Sequence, residues 1–280
     1  FLSWAVVAAL FFTACESSPK GYSVVDGVIV FDAPARAEGQ HSVLRLTTDP
    51  IPVVRVGFIG LGMRGPGAVE RFTYLDGVEI KALCDLYPDR VEKSQEILAG
   101  RNLPAAAAYS GEEGWKELCR RDDIDLVYIC TPWQLHVPMA VYAMEHGKHV
   151  AVEVPAAMSL EECWQLVDTA EKTQRHCMML ENCVYDFFEL TTLNMAQHGL
   201  FGEIIHTEGS YIHDLDPFWE HYQGNWRLDF NQSHRGDVYA THGLGPACQL
   251  LDIHRGDRMT RLVSMDTESI NGLKTAKEKM

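Results

Sequence analysis

The eight cysteines of this 280-residue chain include no C-x-x-C pair, so a zinc site is not expected and no metal is assigned. Positive charge is scarce. Lys and Arg number 24 against 39 Asp and Glu, a formal net charge of −15. Phosphate backbones need a basic face, so nucleic acid is excluded as a partner. No apolar run approaches the ~20 residues of a membrane-spanning helix. Internal repeats and long low-complexity segments are also lacking. What remains is 46% apolar and 22% charged residues, over a length sufficient for two cored domains.

The chain begins with Phe rather than Met, so a cut N-terminus is expected. Residues 4–12, WAVVAALFF, form an apolar run of the length used by a signal-peptide core. Small residues precede Cys15, and the polar ESSPKG follows it. This order resembles a bacterial lipoprotein signal, cut before Cys15 and lipidated on its thiol; the alternative is an ordinary buried strand or helix. Several acyl chains would anchor an exported protein on the periplasmic or outer-membrane face. The other cysteines are expected to be buried and reduced, with Cys84 and Cys130 acting as small hydrophobes at strand ends.

From Val53 onward, apolar strands alternate with amphipathic helices. Strands are predicted at 53–60, 78–85, 124–132, 148–155 and 176–183, and helices at 65–75, 88–100, 112–121, 135–147 and 159–173. Ser159 with Glu162 makes a capping box. The alternation predicts an α/β fold, a Rossmann-like doubly wound parallel sheet. After about residue 187 the texture changes to a helix at 188–202, then an alternating strand from His206 to Ile212 and an aromatic-rich stretch at 216–230. The last residues, LKTAKEKM, close no element, so a second domain truncated at the C-terminus is expected. The resulting division is 1–15 signal, 16–52 linker and arm, 53–186 dinucleotide-binding domain and 187–280 partial second domain.

Within VGFIGLGMRG, Gly60, Gly62 and Gly65 form G-x-G-x-x-G between a strand and a helix, and Asp85 ends the next strand. That is the context of a dinucleotide fingerprint. Gly60 allows the turn, Gly62 admits the pyrophosphate to the backbone, and the helix N-terminus receives it. Asp85 would accept both ribose hydroxyls and repel a 2′-phosphate, favouring NAD over NADP. Met63 and Arg64 complete the loop, with Arg64 expected at the pyrophosphate. Ligands bind at the carboxyl ends of such strands. Thr131, Trp133, His136, Glu153 and Asn182 should therefore converge on the nicotinamide half; for His136 the alternative is helix capping. Glu153, a carboxylate ending an apolar strand, then stands at a rim rather than in a core.

These residues are familiar together. GFIGLGMRG, a CTPxxxH strand end and an ExP strand end resemble the glucose–fructose oxidoreductase/inositol dehydrogenase (Gfo/Idh/MocA) family. The resemblance implies a Rossmann domain followed by an α+β domain on an open, mainly antiparallel sheet. Dehydrogenases of that family carry E-K-P, with a lysine assisting proton removal; here the sequence is Glu153-Val154-Pro155. CTPWQLHVPMAVYAMEHGKHVAVEVPAA, MMLENCVYDFFELTTLNMAQ, GEIIHTEGSYIHDL and THGLGP resemble glycoside hydrolase family 109 more closely. Members of that family are NAD-dependent α-N-acetylgalactosaminidases.

That resemblance implies a retaining, redox-neutral hydrolysis by oxidation at sugar carbon 3, elimination, water addition and reduction. It places Trp133, Gln134, Leu135, His136, Glu153, Val154, Asn182 and Tyr239 against NAD. Tyr211, Arg227 and the 239–242 loop (Tyr239, Ala240, Thr241, His242) would hold the sugar. The loop departs from the family pattern in having Ala240 where Pro is expected. Acid–base candidates are His242, Tyr239 and His213, since a histidine titrates near working pH; the alternative for His242 is a buried structural role. Phe218, Trp219 and Trp226 suit stacking on a sugar face or core packing, and Tyr185 is a weaker candidate. A sugar or cyclitol oxidoreductase and a non-catalytic NAD-binding protein are the alternative functions. The expected partner is a glycan or glycoside, and a homo-oligomer is left open.

Overall fold

The computed structural model describes residues 22–26, 28–31, 34–215, 217–218, 225–234, 236–268, 270, 274, 277 and 278. The expected signal segment, Cys15 and Trp219 lie outside the described residues. The chain divides into two units, 1–36 and 37–280. In the first, β1 (Tyr22–Val25) and β2 (Val28–Phe31) pair antiparallel as a hairpin.

The second unit is built on six parallel strands. They are β3 (Val54–Ile59), β4 (Val78–Asp85), β5 (Ala107–Ser110), β6 (Leu126–Ile129), β7 (His149–Val152) and β8 (Cys177–Met179). Their order across the sheet is β5-β4-β3-β6-β7-β8. The order reverses between β3 and β6, which makes the switch point where such sheets open a crevice. Between strands run α1 (Gly65–Phe72), α2 (Pro88–Gly100), α3 (Gly114–Cys119), α4 (His136–Glu145) and α5 (Leu160–Thr173).

Side chains alternate between the faces of a strand, so each strand feeds two cores. Phe58, Leu83, Tyr128 and Ala151 pack with Ala68 and Val69 of α1 and Val91 and Leu98 of α2. Ile59, Cys84, Ile129 and Val152 pack on the other face with Leu118, Ala140, Met144 and Leu166. Burying each large side chain contributes roughly 1.5–3 kcal/mol. Phe58, Phe72 and Tyr128 add an aromatic trio with centroids 5.1–5.5 Å apart. Gly57 is required inside β3, where an added Cβ would lie 2.8 Å from Leu118.

Helix ends follow their local chemistry. Ser159 caps α5, its Oγ accepting from the Glu162 N–H, while Glu162 Oε2 accepts from the Met158 N–H. The box therefore closes one residue earlier than its usual form. α4 ends before Gly147, whose φ of +79° suits only glycine well.

Three expectations need correction. β5 was not predicted, because AAYS is short and weak in β-branched residues. Residues 206–212 form no ladder among the described residues, since alternation alone supplies no partner strand. Residues 239–242, expected as a loop, are the N-cap and first turn of α8 (Ala240–Leu250). Ala240 stands at the first helical position, a place that favours proline but accommodates alanine. α6 (Phe187–Gln197) and α7 (Trp226–Ser233) complete the described helices before it. Of the seven described cysteines, all free, Cys84 and Cys119 are buried but Cys163 is exposed. No described helix is long and apolar enough to cross a membrane.

Candidate active site

A cleft of about 2840 Å³ opens at the carboxyl ends of β3, β4, β6 and β7. One wall carries the Gly60–Arg64 loop, Asp85, Arg90, Thr131, Trp133, Leu135, His136, Glu153, Val154 and Asn182. The same lining carries Tyr211, His213, Trp226, Arg227, Tyr239 and His242. The structure thus brings the nucleotide-side and sugar-side candidates together. Gln134, Ala240, Thr241, Tyr185 and Phe218 do not line it.

The glycine loop has the shape a pyrophosphate needs. Gly60 has φ +93°, and a Cβ there would lie 2.7 Å from the Cys130 carbonyl. A Cβ on Gly65 would lie 2.0 Å from the Gly60 oxygen. A Cβ on Gly62 would meet only the tip of Arg90, so that backbone stands open to a ligand. The first turn of α1 leaves N–H groups without intrahelical acceptors. This cradle fits a dinucleotide.

Asp85 is engaged more fully than a ribose contact alone would require. The residue is 5% exposed. Its Oδ2 accepts from the Leu61 N–H at 2.6 Å, and its Oδ1 from the Tyr87 N–H at 3.0 Å and Arg90 Nη1 at 3.3 Å. A carboxylate has about four acceptor positions, so about one is left for a ligand hydroxyl. Asp85 anchors the glycine loop as well as facing the cleft.

Glu153 does sit at the rim, with partners supplied by the chain. The Tyr128 hydroxyl donates to its Oε1 at 3.0 Å, and Arg64 Nε stands 3.8 Å away. Burial pushes the Tyr128 phenol up, so it remains a donor. Arg64 also donates to Asn182 Oδ1 at 3.5 Å. It bridges the glycine loop to the ends of β7 and β8. Beside it Val154 is a buried apolar part of the wall. The only lysine in the described lining is Lys93, on α2 with Arg90.

Two expected cofactor contacts are packed inside. His136 is 1% exposed, with Nδ1 2.7 Å from the Pro155 oxygen and Nε2 2.8 Å from the Thr131 oxygen. It ties the segments after β6 and β7 together. Burial lowers its pKa, outweighing the two carbonyl contacts that raise it. Trp133, 3% exposed, centres an aromatic cluster with Trp226, Phe230 and Tyr239 at 4.7, 4.9 and 5.3 Å.

Among the sugar-side candidates, Arg227 Nη1 donates to the Tyr239 hydroxyl oxygen at 2.5 Å. Its guanidinium also lies over Trp133 and Trp226, with carbon-to-centroid distances of 5.0 and 4.8 Å. Tyr211 contacts His242 and His213, with centroids 4.3 and 4.4 Å away. The Tyr211 segment reaches His242 because Gly209 and Gly243 meet backbone to backbone; a Cβ on Gly209 would lie 2.1 Å from the Gly243 oxygen. His242 itself is 8% exposed, and its Nδ1 contacts Glu181 Oε1. Sequence reasoning missed Glu181. Its signal was present: it precedes Asn182 at the carboxyl end of β8, the edge already singled out. The donor atoms of Glu181, Cys183 and His242 lie within 4.8 Å of one another. Glu181 Oε1 already receives the Cys183 N–H at 3.2 Å, so the group is a hydrogen-bonded unit.

Residues 54–181 match the oxidoreductase family with an NAD-binding Rossmann fold, and residues 185–279 match the glycosyl hydrolase 109 C-terminal domain. Glycosyl hydrolase family 109 protein 1 of Bacteroides fragilis (strain YCH46) is 65% identical over 260 residues, covering 92% of this chain and 56% of that protein. The family 109 protein of Porphyromonas gingivalis is 62% identical over 273 residues, covering 97% and 58%. The chain spans about half the length of the curated relatives it matches. A crystal structure of a candidate oxidoreductase from Klebsiella pneumoniae superposes with TM-score 0.55 at 21% identity, covering 71% of this chain and 51% of that one. A candidate myo-inositol dehydrogenase from Sinorhizobium meliloti gives 0.55 at 19%, covering 71% and 56%. These likenesses show the fold, a Rossmann sheet followed by an α+β domain, of which α6, α7 and α8 are described here.

Proposed function

We propose that the chain belongs to the Gfo/Idh/MocA superfamily and, by likeness, to its glycosyl hydrolase 109 branch, and that it forms the cofactor half and part of the sugar site of an NAD-dependent glycosidase. The proposed reaction is redox-neutral hydrolysis of terminal α-linked N-acetylgalactosamine with retention. The supporting observation is the composition of the cleft. Where family dehydrogenases use lysine, the wall is Val154, and His242, Tyr239 and His213, all able to move protons, share the same lining. When bound in the Gly60–Gly65 cradle, NAD supplies a reversible two-electron oxidation of the sugar.

The chain's own residues then have separable tasks. Arg227 donates to the Tyr239 oxygen, so the phenol's own proton is free to point to another acceptor. His242 takes a proton from the sugar and returns it, the general acid–base role that contributes about 10²–10⁴-fold. Tyr211, with His213 against its ring, flanks the sugar, and Trp226 offers an aromatic face. Glu153, held by Tyr128 and Arg64, is a fixed acceptor at the rim.

A nitrophenyl α-N-acetylgalactosaminide tests this reading. Dye release without NADH accumulation is expected. NADH accumulation without dye release would instead indicate an oxidoreductase. Neither signal, with NAD still bound, would indicate a non-catalytic NAD-binding protein. His242→Ala should lose turnover while retaining NAD. We also propose export and anchoring through Cys15, supported by the apolar run and small residues before it. Cys15→Ser should then leave the detergent phase on phase partitioning, and unchanged partitioning would refute the anchor.

A further inference from the structure

We propose that Glu181 is the positioning residue that sets the tautomer and orientation of His242. The inference rests on the reading of His242 as the acid–base residue. Glu181 ends the β8 segment and His242 lies in the first turn of α8, yet the two side chains meet although 61 positions separate them. Both are more than nine-tenths buried. Glu181 Oε1 already accepts the Cys183 backbone N–H at 3.2 Å. An oxygen in that role is an acceptor, so the proton shared with His242 belongs to Nδ1. That leaves Nε2 with its lone pair, the form a general base requires.

The packing holds this arrangement in place. α8 lies close over the turn after β8 because residue 245 is glycine; a Cβ there would sit 2.8 Å from Val184 and 3.4 Å from Glu181 Cγ. The Tyr211 ring also lies against His242, with centroids 4.3 Å apart. Glu181 does not line the cleft, so it acts through His242 and not on the sugar. Its second oxygen, Oε2, is buried and has no hydrogen-bond partner among the described residues. An uncompensated buried acceptor is unfavourable for folding, which suits a residue retained for the geometry it imposes.

Three variants and one spectrum test the proposal. Glu181→Leu removes the acceptor with little change of volume. Its kcat should fall by about 100-fold or more, with KM and NAD affinity within about threefold of the parent. Glu181→Gln can keep an oxygen toward Nδ1 and the Cys183 N–H, so it should recover about tenfold of that loss. Histidine ¹⁵N NMR of the parent protein should show His242 protonated on Nδ1, with Glu181→Leu losing that preference. A parent His242 protonated on Nε2 overturns the proposal, even if the leucine variant does not fold. So does near-parental kcat in Glu181→Leu while His242→Ala is inactive. Activity in His242→Ala would instead remove the underlying assignment of His242, and the positioning role with it.

Discussion

Asp85→Ala separates the two tasks that meet at that carboxylate. Without NAD, the substitution strips the acceptor from the Leu61 N–H, which belongs to a buried residue of the glycine loop. An unsatisfied buried donor costs about 1–3 kcal/mol. The Tyr87 N–H and Arg90 lie at an exposed edge where water can replace the carboxylate, and the Arg90 ion pair adds about 0–1 kcal/mol. The sum is about 1–4 kcal/mol, a fall in melting temperature of roughly 3–12 °C for a domain of this size. Asp85→Asn can keep its oxygen on Leu61 and place its amide toward Tyr87 and Arg90, so it should lose only about 1 kcal/mol. Thermal unfolding of each variant, with and without NAD, reads both effects. The parent should gain stability as NAD rises above its dissociation constant, and Asp85→Ala should gain far less at the same concentration. An Asp85→Ala protein melting within about 1 °C of the parent in the absence of NAD would refute the loop-anchoring role.

Gly60→Ala should weaken NAD binding and cost roughly 1–3 kcal/mol from its positive φ alone, before the clash with Cys130; a parental melting curve would contradict this. Burial lowers the folded-state pKa of His136 and His149 below 6.5. On acidification the unfolded chain therefore takes up these protons first. Their contribution to stability is present above about pH 6.5 and is lost as pH falls through it. Urea midpoints should drop between about pH 7.5 and 5.5, and a constant midpoint would speak against the lowered pKa of these two rings. Burial pushes the Cys84 and Cys119 thiols up to about 12, whereas Cys163 is exposed. Brief iodoacetamide treatment followed by peptide mass spectrometry should find Cys163 alkylated well before the other two.

Much of the Rossmann half was legible because its signals are local. The span of α2, Pro88–Gly100, matches its prediction residue for residue, with proline at its start and positions facing the core at helical spacing. β4 likewise matches at Val78–Asp85. The sugar side was harder to read. The 239–242 segment is followed by glycines at 243 and 245 and a proline at 246, which sequence reasoning takes as loop composition. In the fold those glycines permit close backbone approach instead, and the segment becomes helical because α8 packs on the turn after β8.

What the sequence by itself determined is the strand–helix alternation, the glycine loop after the first strand of the parallel sheet and the residues at each strand's carboxyl end. Periodicity and turn chemistry act over a few residues and need no partner. The tertiary structure decided which strands are neighbours, and so where the crevice opens. It turned Asp85 from a ligand contact alone into the anchor of the loop, and it buried His136 and Trp133. It also paired Glu181 with His242. Each of these depends on an approach between segments remote along the chain, set by how helices and strands pack around shared cores.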